Sequence, residues 1–217
     1  MNIEQARFNM IEQQIRPWDV LDTSILALLS AVRREDFVPA AHRSLAFMDL
    51  ELPLENGGSL LAPRVEARLV QDLNLNKHDS VLQIGVGTGY ITALLAHKAQ
   101  RVTALDARAD LVEISRQNLR KAGISNADVQ QGDGTQGLLG QAPFDAILLA
   151  GSVQSVPKAL LDQLKIGGRL LAIVGNEPVM QATLITRTGD KQFEQQELFD
   201  TVAPRLPGFA TQNRFTF

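Results

Sequence analysis

The chain has no cysteine and only three histidines among its 217 residues. Without cysteine it can form no disulfide, no thiolate metal site and no cysteine nucleophile. His42, His78 and His97 are widely separated in the sequence, so a cluster of histidine metal ligands is not expected. The composition therefore predicts no metal site and favours other kinds of chemistry.

Long apolar runs and an excess of positive charge are also missing. No apolar run reaches the roughly 18 residues that a membrane-spanning helix needs. The N-terminus carries Glu4 and Arg7 where a signal peptide requires an apolar run. A net charge of −3 provides no excess of positive charge for nucleic acid. These features predict a cytoplasmic protein that binds neither membranes nor nucleic acid.

The length and composition are those of a globular chain with a substantial core. Hydrophobic residues make up 45% of the chain and charged residues 21%, as in ordinary globular domains. Residues 1–78 are predicted to form an N-terminal helical extension with a lid loop, since the stretch 49–58 has no periodicity. Residues 79–217 alternate between strand and helix patterns and are predicted to form the core. We expect the two parts to pack as one structural domain.

Three helices are predicted in the extension. The first covers residues 3–15 and stops before Pro17, because proline disfavours helical angles in the residue before it. Asp22 or Thr23 can cap the second helix. Pro63 lies near the first turn of the third helix, where its missing N–H costs nothing.

The core alternates short apolar runs with helical patterns, which is typical of a parallel sheet with crossover helices. This predicts an α/β fold: a Rossmann-like, doubly wound, mostly parallel sheet with helices on both faces, preceded by the helical extension. The chain ends in a predicted hairpin. The predicted strands are residues 80–84, 101–105, 144–150, 169–174, 182–187 and 193–199, and the predicted helices are 90–98, 109–122 and 157–165.

A glycine-rich turn joins the first predicted strand of the core to its helix. The sequence V-L-Q-I-G-V-G-T-G-Y covers residues 81–90, with glycines at Gly85, Gly87 and Gly89. Glycine adopts backbone angles that are closed to other residues and lets a ligand lie against the main chain. The following helix directs its free N–H groups toward that ligand. The turn therefore predicts a cofactor site.

Acidic residues at the next two strand ends indicate which cofactor binds. Asp106 ends the second strand, where a carboxylate can accept hydrogen bonds from ribose hydroxyls. Asp133 and Gly134 follow the third strand, where an acidic side chain can accept a hydrogen bond from an adenine amino group. The spacing G-x-G-x-G places Tyr90 where the dinucleotide fingerprint has its third glycine. An adenosine without a pyrophosphate fits this pattern, so S-adenosyl-L-methionine (SAM) is favoured over NAD.

Each signal also has a simpler structural interpretation. The glycine-rich turn can be only a tight connection, Asp106 can be a helix N-cap, and Asp133 can be a turn residue. Gly151 and Ser152 follow the fourth strand, where small residues either admit a second ligand or permit close turn packing. Three such signals at consecutive strand ends favour the cofactor site. An NAD-dependent dehydrogenase is a distant alternative.

The order of these motifs resembles the Rossmann-like SAM-dependent methyltransferases and, within them, the protein-L-isoaspartate O-methyltransferase family. The matching pieces are Gly87-Thr88-Gly89-Tyr90-Ile91-Thr92-Ala93, Gly132-Asp133-Gly134, Pro143-Phe144-Asp145-Ala146-Ile147, Pro157 to Leu164 with Gly167-Gly168-Arg169-Leu170, Val174-Gly175, and Asp36-Phe37-Val38-Pro39. The resemblance covers residues 5 to 200. It implies transfer of a methyl group from SAM to the carboxylate of isoaspartyl residues in damaged proteins. Protein or peptide substrates and a monomer or weak dimer are expected.

The resemblance also assigns the cofactor contacts and the lid. The contacts fall on Gly85, Gly87, Gly89 and the adjoining turn, with the ribose on Asp106 and the adenine on the pair Asp133 and Gly134. The lid corresponds to residues 58–63. A carboxylate is already nucleophilic at neutral pH, so this chemistry requires alignment and exclusion of water and no general base.

The chain departs from the family pattern at three places. Gln83 replaces an acidic residue beside the glycine-rich turn; it can still hydrogen-bond to the cofactor but adds no charge. Leu61 replaces the family's lid serine, which leaves Ser59 as the predicted catalytic hydroxyl. The tail 200–217 matches poorly. These departures motivate two alternatives: a family member with a different methyl acceptor, or a SAM-binding relative without catalysis.

Overall fold

A seven-stranded sheet forms the centre of the molecule. The structure is a computed structural model that describes residues 2–55 and 57–210. The strand order is β5-β4-β3-β6-β7-β8-β9. Strands β5, β4, β3, β6 and β7 pair in parallel, and the last two pairings are antiparallel. The strands are β3 Ser80–Ile84, β4 Arg101–Asp106, β5 Ala127–Gln131, β6 Phe144–Val153, β7 Leu164–Asn176, β8 Val179–Arg187 and β9 Phe193–Thr201. The predicted fold class is confirmed.

Within the described residues, six α-helices pack on the two faces of the sheet. A separate two-stranded ribbon lies near the carboxyl ends of β3 and β4. The ribbon pairs β1 Leu52–Pro53 with β2 Ser59–Leu60. The helices are α1 Ile3–Met10, α2 Thr23–Ala31, α3 Pro63–Asp72, α4 Tyr90–Lys98, α5 Ala109–Lys121 and α6 Lys158–Leu161. Within the described ranges no helix combines the length and the apolar character that a membrane crossing requires.

The two faces of the sheet carry separate hydrophobic clusters. Because side chains alternate along a strand, Val81 of β3 joins one cluster while Leu82 and Ile84 join the other. Helices α1 to α5 pack on the first face, and α6 packs on the second with residues of the C-terminal segment. The N-terminal extension thus shares a core with the sheet, although the predicted boundary at 78/79 remains a prediction.

Local signals explain the helices of the extension. The Asp22 side chain accepts a hydrogen bond from Ser24 N at 2.7 Å, so Asp22 is the N-cap of α2. The predicted helix 3–15 is α1 followed by a π-helical turn, Ile11–Ile15. That turn gives way to a short 3-10 turn at Arg16–Trp18.

One predicted helix is largely wrong. Only α6, a single turn, forms within residues 157–165, and β7 already begins at Leu164. Leu164 pairs with Phe144 and Arg169 with Ala146, so residues 165–168 bulge out of the pairing with β6. Gly167 has φ +82° in this bulge, and a Cβ at Gly168 would lie 2.9–3.1 Å from the carbonyl oxygens of Lys165, Phe144 and Asp145. The predicted turn at Gly167-Gly168 is therefore a bulge inside β7.

The order of the strands positions the functional site. Strand β3 lies between β4 and β6. The chain adds β4 and β5 on one side of β3 and then crosses over to add β6 on its other side. In such sheets a crevice opens beyond the carboxyl ends of the strands at this switch point. The glycine-rich turn and Asp106 both lie at that edge.

Candidate active site

A cavity of about 280 Å³ lies at the carboxyl ends of β3 and β4. Two groups of residues line it, and we name them the strand-end wall and the lid wall. The strand-end wall consists of Ile84, Gly85, Val86, Gly87, Asp106, Ala107, Arg108, Gly132 and Gly134. The lid wall consists of Gly57, Gly58, Ser59, Leu60 and Leu61 together with Pro204, Arg205, Leu206 and Pro207.

The glycine-rich turn requires glycine at two positions because of the backbone angle and the close packing at each. Gly85 has φ +84°, and a Cβ there would lie 2.6 Å from Leu206 Cδ2. Gly89 has φ +94° as the N-cap of α4, and a Cβ there would lie 3.1 Å from Ser115 Cβ. Both positions therefore exclude larger residues, by backbone angle and by close packing. Of the predicted glycines, Gly85 and Gly87 line the cavity, and Gly89 is the N-cap residue of α4.

Asp106 is buried in the strand-end wall and is held by backbone donors. Its Oδ2 accepts a hydrogen bond from Val86 N at 2.9 Å, and its Oδ1 accepts one from Arg108 N at 3.0 Å. Arg108, not Asp106, is the N-cap of α5, so the alternative role of Asp106 as the cap is not observed. Each carboxylate oxygen can accept more than one hydrogen bond. Asp106 therefore keeps acceptor capacity at the cavity.

Gln83 and Asp133 do not line the cavity in this structure. Gln83 is buried, and its Nε2 donates to Gly85 O at 2.8 Å, which fastens the glycine-rich turn. The exposed Asp133 accepts hydrogen bonds from Thr135 N and Thr135 Oγ1, as a turn residue does. Gly134 lines the cavity beside it. Contacts from Gln83 and Asp133 to a cofactor remain predictions.

Ser59 belongs to the lid wall and is the first residue of β2. Its Oγ donates a hydrogen bond to Glu51 Oε2 at 3.2 Å. Burial raises the pKa of Glu51, and the bond from Ser59 acts in the opposite direction. Leu60 and Leu61 are 6% and 4% exposed and give the lid wall an apolar surface. Ser59 therefore lines the cavity, its hydroxyl is bonded to an acidic partner, and its catalytic role remains a prediction.

Arg108 is a lining residue that the sequence patterns missed. Its guanidinium donates to the carbonyl oxygens of Glu55 and Gly57, which belong to the loop inside the ribbon. It also pairs with Asp110, and the hydrogen bond that Arg108 donates to that carboxylate raises the pKa of Arg108. Arg108 thus ties the strand-end wall to the lid wall across the cavity.

A buried ion pair supports the lid wall from below. Arg34 Nε donates to Glu66 Oε2 at 2.8 Å, and the two other guanidinium nitrogens donate to Ala46 O and Leu61 O. Burial raises the pKa of Glu66, while the charge of Arg34 opposes that shift. The pair fixes the backbone at Leu61, although 32 residues separate its two members in the sequence.

Tyr90 lines the cavity next to this pair. Burial, followed by the negative charge of Glu66, raises the pKa of Tyr90, so the phenol stays protonated. The hydroxyl oxygen has no hydrogen-bond partner among the described residues. It is available as a hydrogen-bond donor and is not a base.

The C-terminal segment completes the lid wall through Ser152. Ser152 N donates to Pro204 O at 2.8 Å, Leu206 N donates to Ser152 O at 2.9 Å, and Ser152 Oγ donates to Ala203 O at 2.8 Å. A Cβ at Gly151 would lie 2.8 Å from Leu206. Gly151 and Ser152 therefore permit close packing of the C-terminal segment. The part of the predicted tail at 211–217 lies outside the described residues.

Nowhere in ranges 2–55 and 57–210 do three or more histidine, aspartate or glutamate side chains gather as metal ligands would. The site instead consists of glycine backbone, two buried carboxylates, Asp106 and Glu66, and an apolar lid. A family model described as protein-L-isoaspartate (D-aspartate) O-methyltransferase matches residues 5–203. The chain belongs to this family.

Curated relatives cover most of the chain. A protein-L-isoaspartate O-methyltransferase from Methanoculleus marisnigri is 39% identical over 171 residues, which are 79% of this chain and 78% of the relative. Protein-L-isoaspartate O-methyltransferase 2 from Pelobacter propionicus is 36% identical over 91% of this chain and 88% of the relative. The resemblance that the motifs indicated is confirmed at the level of the family.

Solved structures agree with the fold. A structure titled protein-L-isoaspartate O-methyltransferase superposes with a TM-score of 0.80 at 25% identity and covers 93% of this chain and 66% of that one. A Plasmodium falciparum structure described as a protein-L-isoaspartate O-methyltransferase in complex with S-adenosyl-L-homocysteine has a TM-score of 0.78 at 21% identity. It covers 95% of this chain and 98% of that one.

Proposed function

We propose that this protein is a SAM-dependent O-methyltransferase that methylates the carboxylate of isoaspartyl residues in damaged proteins and peptides. Membership of the family over residues 5–203 carries this proposal. The cavity supports it, since a glycine-rich turn and a buried carboxylate face an apolar lid there.

The residues of the strand-end wall fit an adenosyl cofactor. Gly85 lines the cavity without a side chain, and Asp106 retains acceptor capacity for ribose hydroxyls. We propose that Gly85, Gly87, Gly89, Asp106 and Gly134 hold SAM. Gln83 would act by fastening the turn through Gly85 O, and Asp133 by shaping the turn that presents Gly134.

When bound, SAM supplies a methyl group that is already activated by its positive sulfur. The chain therefore needs only to hold the acceptor in line and to exclude water. Leu60 and Leu61 exclude water from the lid side, and Arg108 holds the lid loop closed. The acceptor carboxylate is ionised at neutral pH, which agrees with a cavity where Tyr90 stays protonated.

Transfer of labelled methyl from SAM to an isoaspartyl peptide, beside its aspartyl twin, tests the proposal. Base-labile label on the isoaspartyl peptide alone is the expected result, because methyl esters hydrolyse in base. Binding of S-adenosyl-L-homocysteine is measured on the same preparation. Cofactor binding without label on either peptide would refute the isoaspartyl assignment.

A second candidate keeps SAM and changes the methyl acceptor. It is favoured by Leu61, whose side chain lines the cavity and offers no hydrogen bond where the family has a serine. A panel of carboxylate, amine and hydroxyl acceptors distinguishes it, with label on a different class as its signature. Failure to bind SAM at tens of micromolar would instead favour a relative without catalysis.

We further propose that the protein acts in the cytoplasm as a monomer or weak dimer on peptide segments of other proteins. Sedimentation equilibrium over a range of concentrations measures the oligomeric state. A stable oligomer at nanomolar concentration would contradict this part of the proposal.

A further inference from the structure

Arg205 lies where the cavity meets a second, more open groove. It lines the cavity of the candidate active site and also a groove of about 750 Å³. Glu51, Ser59, Ser152 and Asn176 line the same groove. A ligand that entered the cavity from this groove would pass the Arg205 side chain.

The guanidinium of Arg205 is held at one nitrogen, while a second nitrogen has no hydrogen-bond partner among the described residues. Its Nη2 donates to Gly175 O and to Asn176 Oδ1, each at 2.9 Å. Its Nη1 is buried and has no hydrogen-bond partner among the described residues. Arg205 also takes no part in the ion pairs that these residues form. One edge of an oriented, charged fork is therefore left unsatisfied.

An unsatisfied guanidinium N–H is costly when it is shielded from water, and an anionic acceptor removes that cost. Among the acidic groups that a peptide carries, a carboxylate matches the planar fork of arginine most closely. Glu51 and Glu177, the carboxylates of the groove, are exposed and leave Arg205 unpaired. The position of Nη1 therefore calls for a carboxylate from outside the chain.

The other polar groups of the lid side are already engaged or absent. Ser59 Oγ donates to Glu51, and Leu60 and Leu61 have no polar atoms in their side chains. Among the described residues that line the cavity, the cations are Arg108 and Arg205. Arg108 is bound to lid carbonyls and to Asp110. Arg205 is thus the cation that can meet an incoming anion.

We propose that Arg205 is a specificity-determining residue that binds the carboxylate of the methyl acceptor through Nη1. This inference rests on the proposed function and names how the acceptor is recognised. One carboxylate oxygen is held by Arg205, and the other remains free in the cavity. Asn176 is a positioning residue, because its Oδ1 orients the guanidinium.

The test measures binding of two peptides to the full chain saturated with S-adenosyl-L-homocysteine. One peptide carries an isoaspartyl residue, and its twin carries the corresponding carboxamide, which has the same shape and no charge. Calorimetry should show that the wild-type chain binds the carboxylate at least tenfold more tightly. Arg205→Met should remove that preference while leaving the affinity for S-adenosyl-L-homocysteine within about twofold. Arg101→Met removes an exposed arginine at the opposite end of β4 and should leave both unchanged.

A second variant covers the case in which Arg205→Met fails to fold. Asn176→Asp keeps Arg205 and its bond to Gly175 O but places a carboxylate beside the guanidinium. It should reduce the preference for the carboxylate peptide severalfold, and Arg205→Lys should retain part of it.

The outcomes distinguish a failure of this inference from a failure of the proposed function. If the isoaspartyl peptide is methylated and the Arg205 and Asn176 variants keep the full preference, the role of Arg205 is refuted and the function stands. If the wild-type chain binds S-adenosyl-L-homocysteine but neither binds nor methylates the isoaspartyl peptide, the proposed function fails and this inference fails with it.

Discussion

The strand-end wall and the lid wall face the same cavity but are built in different ways. The strand-end wall comes from the ends of β3 and β4 and from the turns after β3, β4 and β5, and four of its nine residues are glycines. The lid wall joins residues 57–61 to residues 204–207, which are far apart in the chain, and seven of its nine residues carry side chains. A wall made of backbone requires particular residue types at fixed spacing. A wall made of side chains can change its chemistry one residue at a time.

The largest effect is expected where the lid wall depends on a buried charge pair. Glu66→Ala leaves the buried Arg34 without its carboxylate, which typically costs about 3–5 kcal/mol of unfolding free energy. Denaturant unfolding of both chains measures this difference. Glu12→Ala removes a partly exposed partner of Arg16 and should change stability by less than about 1 kcal/mol. Equal losses in the two variants would contradict the role of the buried pair.

Asp106→Ala probes the one carboxylate of the strand-end wall. We expect SAM binding to weaken by about 1–3 kcal/mol, since charged hydrogen bonds to the ribose are lost. Calorimetry on the folded variant measures this. Asp128→Ala is the matched variant, because Asp128 is exposed and does not line the cavity. An unchanged affinity in Asp106→Ala would show that Asp106 is not the ribose partner.

Gly85→Ala tests whether the backbone of the strand-end wall must stay bare. A residue with a Cβ in the left-handed region costs roughly 1–2 kcal/mol, and here the Cβ also meets Leu206. We expect at least tenfold weaker SAM binding. Gly123→Ala has similar strain at φ +73° but has no atom within 4 Å of the added Cβ. That control should lose stability and keep its cofactor affinity; the same loss of affinity in both would remove the argument from close approach.

Arg108→Met removes the hydrogen bonds that join the strand-end wall to the lid wall. Its guanidinium would no longer reach the carbonyl oxygens of Glu55 and Gly57. We expect S-adenosyl-L-homocysteine to dissociate severalfold faster, because the lid loop opens more often. Stopped-flow displacement measures this rate, with Arg101→Met as the control. An unchanged rate would mean that the lid loop does not gate release.

The smallest effect is expected from Leu61→Ser, which restores the hydroxyl of the family's lid at one position. If the apolar Leu61 shifts the acceptor preference, this variant should show a few-fold gain in isoaspartyl methylation. Steady-state kinetics on the isoaspartyl peptide measures it, and Leu61→Ala controls for lost volume. No gain over Leu61→Ala would count against the lid explanation for a different acceptor.

The strand-end wall was predictable because its signals are local. Glycine spacing and the acidic residue at a strand end follow directly from what a strand–turn–helix unit permits. The same locality misled the prediction of a helix at 157–165, where a helical pattern gave way to sheet pairing that starts at Leu164. The spacing of Asp133 predicts an adenine contact, and only the structure shows that its side chain also accepts hydrogen bonds within its own turn.

By itself, the sequence determined the α/β fold, the family and the position of the cofactor turn, because each depends on periodicity and on residue types at fixed separations. Only the tertiary structure decided that Arg34 and Glu66 support the lid, that Arg108 fastens it and that Arg205 faces the cavity. These contacts join segments tens of residues apart. Their partners are chosen by packing in three dimensions, which leaves no spacing rule in the chain.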